Sequence, residues 1–299
     1  MNSVSDMLSG YTAKGAPVKK GKQAGPDPTL ALTGETDVQL VADFFPTAIK
    51  LYEVIYFQNP THGGMAVMTG SLYIMYANAF IQAEAERLPV SKFDVQDAAF
   101  RRAKGFYLRG RNYVLDALDR KYPGFKASLL SGDEEKTAGA VEKLKKDDVN
   151  AAYWLGAGWL GALSLDKGDS ELLSTVQGPV MVLEKAAALD PSYNHGAIWD
   201  LLLSFHGGGA ADFGGDPSRA EECFQASINA SGGKLPGPYI AWAESVCESQ
   251  NDAAGFEENL KAALAINPDD IPEARLATTI AQQKARWLLE NKSLFFIEW

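Results

Sequence analysis

Beyond residue 37 the apolar positions recur at helical spacing almost to the end of the chain, and alternation of period two between turn residues, the mark of a strand, is missing. The helices come in a repeated phrase. "EKAAALDPSYNHGAIWDLLLSF", from Glu184 to Phe205, is an alanine-rich run stopped by Asp-Pro and followed within a few residues by a second apolar run. "LKAALAINPDDIPEARLATTIA", from Leu260 to Ala281, does nearly the same. Proline lacks the N–H that would continue a helix, so each phrase reads as one helix ending and its antiparallel partner beginning.

Aligning the prolines extends the pattern. Tetratricopeptide repeats carry a small residue in helix A, where helix B approaches closely, and a proline after helix B. Ala152, Leu155, Gly156 and Trp159 have the helix A spacing, and Leu183, Ala186 and Pro191 that of helix B. Three further sets give partial matches: Ala48, Tyr52, Ile55 and Pro60; Ala220, Phe224 and Ser227; Phe256, Leu260, Ala263 and Pro268. The map that follows pairs a helix near 38–57 with 62–86, then places 95–121 and a short charged helix at 133–146. Hairpins at 149–165/170–189, 192–205/217–230 and 237–250/253–266 come next, with a closing helix near 271–291. Asp216-Pro217 is a start signal, a capping carboxylate before proline at the first helical position. The expected fold is all-α, with degenerate tetratricopeptide-like hairpins closing into a compact solenoid. Residues 1–37, rich in Gly, Pro, Lys and Thr without period from residue 10 onward, read as an extended or mobile N-terminal arm. Residues 38–299 read as a single helical domain.

Composition trims the functions open to such a chain. Hydrophobic residues make up 46% and charged residues 22%, a soluble globular balance. Twenty-eight basic against 38 acidic residues give a net charge of −10, which argues against nucleic acid as a partner. Two uncharged stretches, Met65–Ile81 and Val149–Leu165, are 17 residues each, at the short limit for a membrane span, and read as buried helices. Cys223 and Cys247 have no metal-ligand spacing and are expected to remain free thiols. "MNSVSDMLSG" is not a secretory signal, so the chain reads either as cytosolic or as a mature form whose leader was removed. His62, His195 and His206 form no catalytic motif, the paired acids (Glu134/Glu135, Asp147/Asp148, Glu221/Glu222) read as helix-end charge, and no cofactor or metal motif stands out. The glycine-rich "HGGGAADFGGD", His206–Asp216, lacks the Gly-Lys-Ser/Thr of a phosphate loop and reads as an inter-helix loop. No enzymatic constellation emerges.

Several stretches resemble one family. "LTGETDVQLVADFFPTAIKLYEVIYFQNPTHGGMAVMTGSLYIMYANAFIQAEAERLP", "AKGFYLRGRNYVLDAL" and "HGGGAADFGGDPSRAEECFQAS" are similar to the T component of TRAP transporters, the tetratricopeptide-containing associated proteins. "NSVSDMLSG" is a further short match. The resemblance implies degenerate repeats around a central channel, a periplasmic location and a lipid anchor on a leader absent from this chain. It also implies a homotrimer, the TRAP solute-binding (P) subunit as partner, and a small organic or hydrophobic ligand. A non-enzymatic accessory component of a transport system is the resulting expectation. The alternative is a tetratricopeptide adaptor unrelated to transport, although such adaptors line their groove with Lys, Arg and Asn.

Projecting the repeat places candidate residues on the concave side. Thr69, Tyr73, Tyr76 and Asn78 come from one helix A, Tyr153 from the next, and Tyr193, Asp200 and Ser204 from the following one. Tyrosines on a channel wall can stack a ligand and offer it hydroxyls. Each also reads singly as a core aromatic. Trp154 and Trp159 stand about 140° apart on their helix, so one fills the core and Trp154, off the repeat signature, is the candidate for the lumen. "RRAKGFYLRGRNY" concentrates five cations, of which Arg109 and Arg111 are candidates for partner or anion docking. The competing reading pairs them with Asp116 on a solvated helix face. Finally, "KSLFFIEW" ends the chain with Leu294, Phe295, Phe296, Ile297 and Trp299, an apolar tail that must be covered by the chain itself or by another subunit.

Overall fold

The computed structural model describes residues 5–6, 9–14, 29–209 and 213–296. Ordered secondary structure is helical, and no strand occurs among the described residues. Contacts gather the chain into two units, one of residues 1–22 and 42–190, the other of residues 23–41 and 191–299.

The first unit is built on five helices. α1 spans Val38–Gln58, of which residues from Ala42 onward belong to this unit, and carries Pro46 on its exposed side. α2 runs over Gly63–Glu86, α3 over Phe93–Lys121, α4 over Val149–Leu165 and α5 over Gln177–Leu189. Successive members from α2 to α5 pack on one another. Two glycines make one close approach. A Cβ on Gly70 of α2 would meet the Gly110 carbonyl oxygen at 2.6 Å, and one on Gly110 would meet that of Gly70 at the same distance. Backbone therefore lies against backbone where α2 crosses α3. Gly156 serves the α4–α5 pair, since a Cβ there would meet the Leu183 side chain at 2.5 Å. α2 is long and apolar enough to cross a membrane by composition, yet 72% of its most apolar window is buried within the fold. It is a core helix, and Val149–Leu165 likewise buries eight of its residues.

The start of α2 is tied to the chain's beginning. His62 is wholly buried and caps the helix, its Nδ1 accepting from Met65 N–H at 2.9 Å while Nε2 lies 2.7 Å from Asp6 Oδ1. Gly63 N–H donates to the Ala13 carbonyl at 3.0 Å. Asp6 and Ala13 of the arm thus hold the start of this helix, while farther along the arm the Gly34 carbonyl accepts from Arg275 Nη1 at 3.0 Å.

In the second unit α6 spans Ala197–Gly208 and α7 Pro217–Ser231; α8 covers Gly237–Trp242 and continues as a π-turn through Ala243–Cys247. α9 (Ala253–Ala265) and α10 (Arg275–Glu290) complete it. Asp216 caps α7 by accepting from Ser218 and Arg219 N–H groups. Phe256, Leu260, Ala263, Ala285 and Leu288 form its core, with Cys247 among them. Cys223 and Cys247 are both buried free thiols. The apolar tail folds back on the same core: Phe295 and Phe296 lie 5.7 and 5.0 Å from the Phe256 ring. Ile297 and Trp299 lie outside the described residues. Of the glycine-rich segment, His206–Gly208 end α6, and Asp216 N–H donates to the His206 carbonyl at 3.1 Å.

Candidate functional site

Along α1 the buried positions Val41, Phe45, Ile49 and Tyr56 mark the core face, and Glu53 falls among them at helical spacing. A carboxylate there must find partners, because an unpaired buried charge is prohibitive. It finds four. Lys50 Nζ donates to Oε2 at 2.7 Å, while Oε1 accepts from Tyr113 Oη at 2.7 Å, from Tyr73 Oη at 3.1 Å and from Arg109 Nη2. Burial pushes the Glu53 pKa up, but the hydrogen bonds from Lys50 and Tyr113, the Arg109 charge and the Tyr73 hydroxyl outweigh it and hold the carboxyl at about 2.

The aromatic rings complete this cluster. The Arg109 guanidinium stands 4.7 Å from the Tyr73 ring centroid, and Tyr73 and Tyr113 stack at 6.2 Å. Phe106 meets Tyr73 edge-on at 5.3 Å, and Arg102 lies over Phe106 at 5.2 Å. The carboxylate is enclosed while its cations are not: the Glu53 side chain is 6% exposed, against 63% for Lys50 and 45% for Arg109. Buried anion and aromatics hold two cationic heads at the surface.

The residues projected from the repeat fall into several settings. Thr69 is wholly buried, with Oγ1 donating to the Met65 carbonyl at 2.8 Å, and Tyr73 is 1% exposed inside the Glu53 cluster. Tyr76 is half-buried against Phe45, Phe80 and Phe106. Asn78 is exposed on the π-turn Ala77–Gln82 within α2. Tyr153 and Trp154 are half-buried and meet edge-on at 4.9 Å, whereas Trp159 is fully buried. Tyr193 opens a kink in which Asn194, His195 and Gly196 all have left-handed backbone. In α6 the Ser204 hydroxyl is exposed and donates to the Asp200 carbonyl. The Asp200 carboxyl accepts from Ser227 Oγ at 2.6 Å; burial pushes its pKa up to about 7 against the pull of that hydrogen bond.

Arg109 and Arg111 separate. Arg109 joins the Glu53 cluster, while Arg111 is 7% exposed with its guanidinium 4.7 Å from the Trp159 ring centroid. Asp116, the intrahelical partner expected from spacing, pairs instead with Lys126 at 2.8 Å. Arg109 and Asp116 take partners from other elements, while Arg111 donates to Asn112 Oδ1 on its own helix.

A separate cleft of about 340 Å³ opens in the first unit between Tyr11 and Lys14, the start of α2 at Gly63–Gly64, and Arg120 and Lys121 of α3. Asp147, Asp148 and Asn150 close its far side. None of the residues projected from the repeat lines it. Glu53, Lys50 and Tyr113 were also missed by sequence. The available signal was a single acid on the apolar stripe of α1.

A family model described as TRAP transporter T-component matches residues 34–296. A protein of Treponema pallidum (strain Nichols), described there as an uncharacterized protein, is 39% identical over 272 residues, which cover 91% of this chain and 84% of that one.

Proposed function

This chain belongs to the TRAP transporter T-component family, and from that premise we propose that it binds the periplasmic solute-binding subunit of a TRAP system and holds a small organic or hydrophobic ligand. Membership makes it an accessory component of a transporter, typically periplasmic, and the family is not known as an enzyme family. The match over residues 34–296 carries the reading, since it spans both helical units rather than one borrowed module. Two features support it. A cleft of about 340 Å³ is large enough for a small organic molecule, and its mixed lining of Val67, Leu118, Arg120 and Asn150 suits one with an apolar body and a polar end. The Arg109 head that the Glu53 cluster holds at the surface suits protein contact, because Arg is enriched where interfaces concentrate their energy. Tetratricopeptide character, a trimer and a lipid anchor belong to the same proposal.

Solute uptake tests it. A strain lacking this chain but retaining the membrane and solute-binding subunits should lose most uptake through that TRAP system, with restoration on re-expression. Unchanged uptake would remove the accessory role in transport.

A further inference from the structure

The cleft at the start of α2 has one wall that no long helix supplies. Tyr11, Ala13 and Lys14 of the arm line it, together with Gly64 and Val67 of α2 and Ala151 of α4. Two contacts seat that wall on α2. The Ala13 carbonyl accepts from Gly63 N–H at 3.0 Å, and a Cβ on Gly64 would meet the Tyr11 Cβ at 2.6 Å. The turn that leads into the wall is bonded to itself. Gly10 N–H donates to the Asp6 carbonyl at 2.9 Å, Tyr11 N–H to Ser9 Oγ at 3.2 Å, and Ser9 Oγ to the Ser5 carbonyl at 2.7 Å. Gly10 permits this turn with a φ of +69°. One further bond ties the turn down. His62 Nδ1 is the acceptor that caps α2, so Nε2 carries the ring hydrogen and donates to Asp6 Oδ1 at 2.7 Å. Its acceptor is a carboxylate, which makes the bond charge-assisted.

We infer that residues 11–14 are a strap completing the cleft, with the Asp6–His62 bond as its latch; this rests on the cleft being the ligand site proposed above. A small molecule enters with the strap lifted and is enclosed with it seated. Latch and strap move together, because the turn bonds Asp6 to Gly10 and Ser9 to Tyr11. Among residues 9–14 Tyr11 is the one large side chain, and it is half-buried. Seating therefore depends on the latch and the two contacts with α2 rather than on a broad apolar face, the condition for local opening. The other walls do not need the strap, since α2, α3 and α4 pack on one another. A ligand that touches both strap and helices binds the seated state more tightly, and by linkage it holds the strap down.

The rate at which a maleimide labels Ala151→Cys in the full chain tests this. Ala151 is buried where it lines the cleft, and the native Cys223 and Cys247 are buried in the second unit, which keeps the background slow. The rate is read with the latch intact, with Asp6→Ala, and with Gly64→Ala, whose methyl group crowds Tyr11 without touching the latch. Asp97→Ala, which breaks the pair with Arg101 on α3, is the control. Circular dichroism melts establish that each variant is folded; Asp6→Ala and Gly64→Ala unseat the strap by separate means, so either one suffices. The expected result is labelling at least tenfold faster with Asp6→Ala and with Gly64→Ala, and unchanged with Asp97→Ala. Equal rates in all four chains would overturn the strap. So would a latched chain labelled as fast as the same chain in urea. Faster labelling on unlatching, in a protein that carries no small molecule in native mass spectrometry, would uphold the strap and remove the ligand reading alone.

Discussion

Glu53 shows how much one side chain can organise. Its four partners come from α1, α2 and α3, with Arg109 lying 56 positions away in sequence. Replacing it by Gln removes the charge that balances Lys50 and Arg109 while keeping the shape. Because those cations are substantially exposed and water can solvate them, the loss is expected to be about 1–3 kcal/mol in urea unfolding, below that of a fully buried pair. The depressed pKa fixes the sign of the acid response. The stability from Glu53 is present above the ordinary carboxylate range and is lost as pH falls through it toward about 2. Asp200 works the other way. Its folded pKa of about 7 lies above that of the unfolded chain, so its contribution is intact below about pH 4 and lost as pH rises toward 7. Asp200→Asn should therefore raise the thermal midpoint at pH 8 and flatten its fall between pH 5 and 8. A pH profile parallel to the wild type would contradict the burial of this carboxyl. Neither behaviour was legible in the sequence. The Glu53 stripe reads as an acid out of place, but its partners are settled only by tertiary packing. Asp200 looks like any first-turn acid until Ser227 and the surrounding core close on it.

Elements were far more legible, because proline, glycine and capping residues act locally. The hairpin partners α4 and α5 and the start of α7 at Pro217 stand where spacing puts them. Where the outline is coarser, a local cause is visible. The run at 133–146 ends as a helix at Val141, and the run at 170–189 breaks after Ser174 before α5 resumes at Gln177. The helix expected from residue 192 begins at Ala197, after the left-handed trio 194–196. Two glycines of the first unit make a paired test of close packing. Gly70→Ala would push a methyl group into the Gly110 carbonyl oxygen and should cost about 1–3 kcal/mol. Gly105→Ala on α3, where a Cβ meets nothing within 4 Å, should be stabilising by up to about 1 kcal/mol. Equal effects from both in denaturant unfolding would show that α2 and α3 do not meet backbone to backbone.

At the scale of the whole molecule the apolar tail finds cover within its own chain as far as Phe296. Phe295 and Phe296 pack on Phe256, Trp287 stands 6.1 Å from Phe295, and Leu294 remains 64% exposed. Removing residues 293–299 is expected to lower the thermal midpoint of the second unit by several degrees and reduce solubility, since it strips two rings that cover Phe256. A truncated chain that melts as the wild type does would show the tail to be dispensable for the fold. The sequence could say that this tail must be covered, not by what, because hydrophobicity carries no address. Likewise the repeats and the family resemblance point to transport while leaving the bound partner to experiment. Sedimentation velocity on the chain, the solute-binding subunit of its own TRAP system, and their mixture reads that partnership directly. Partnership predicts a faster boundary in the mixture that contains both proteins and recedes as salt is raised. A mixture that sediments as the sum of its separate components at tens of micromolar would contradict it.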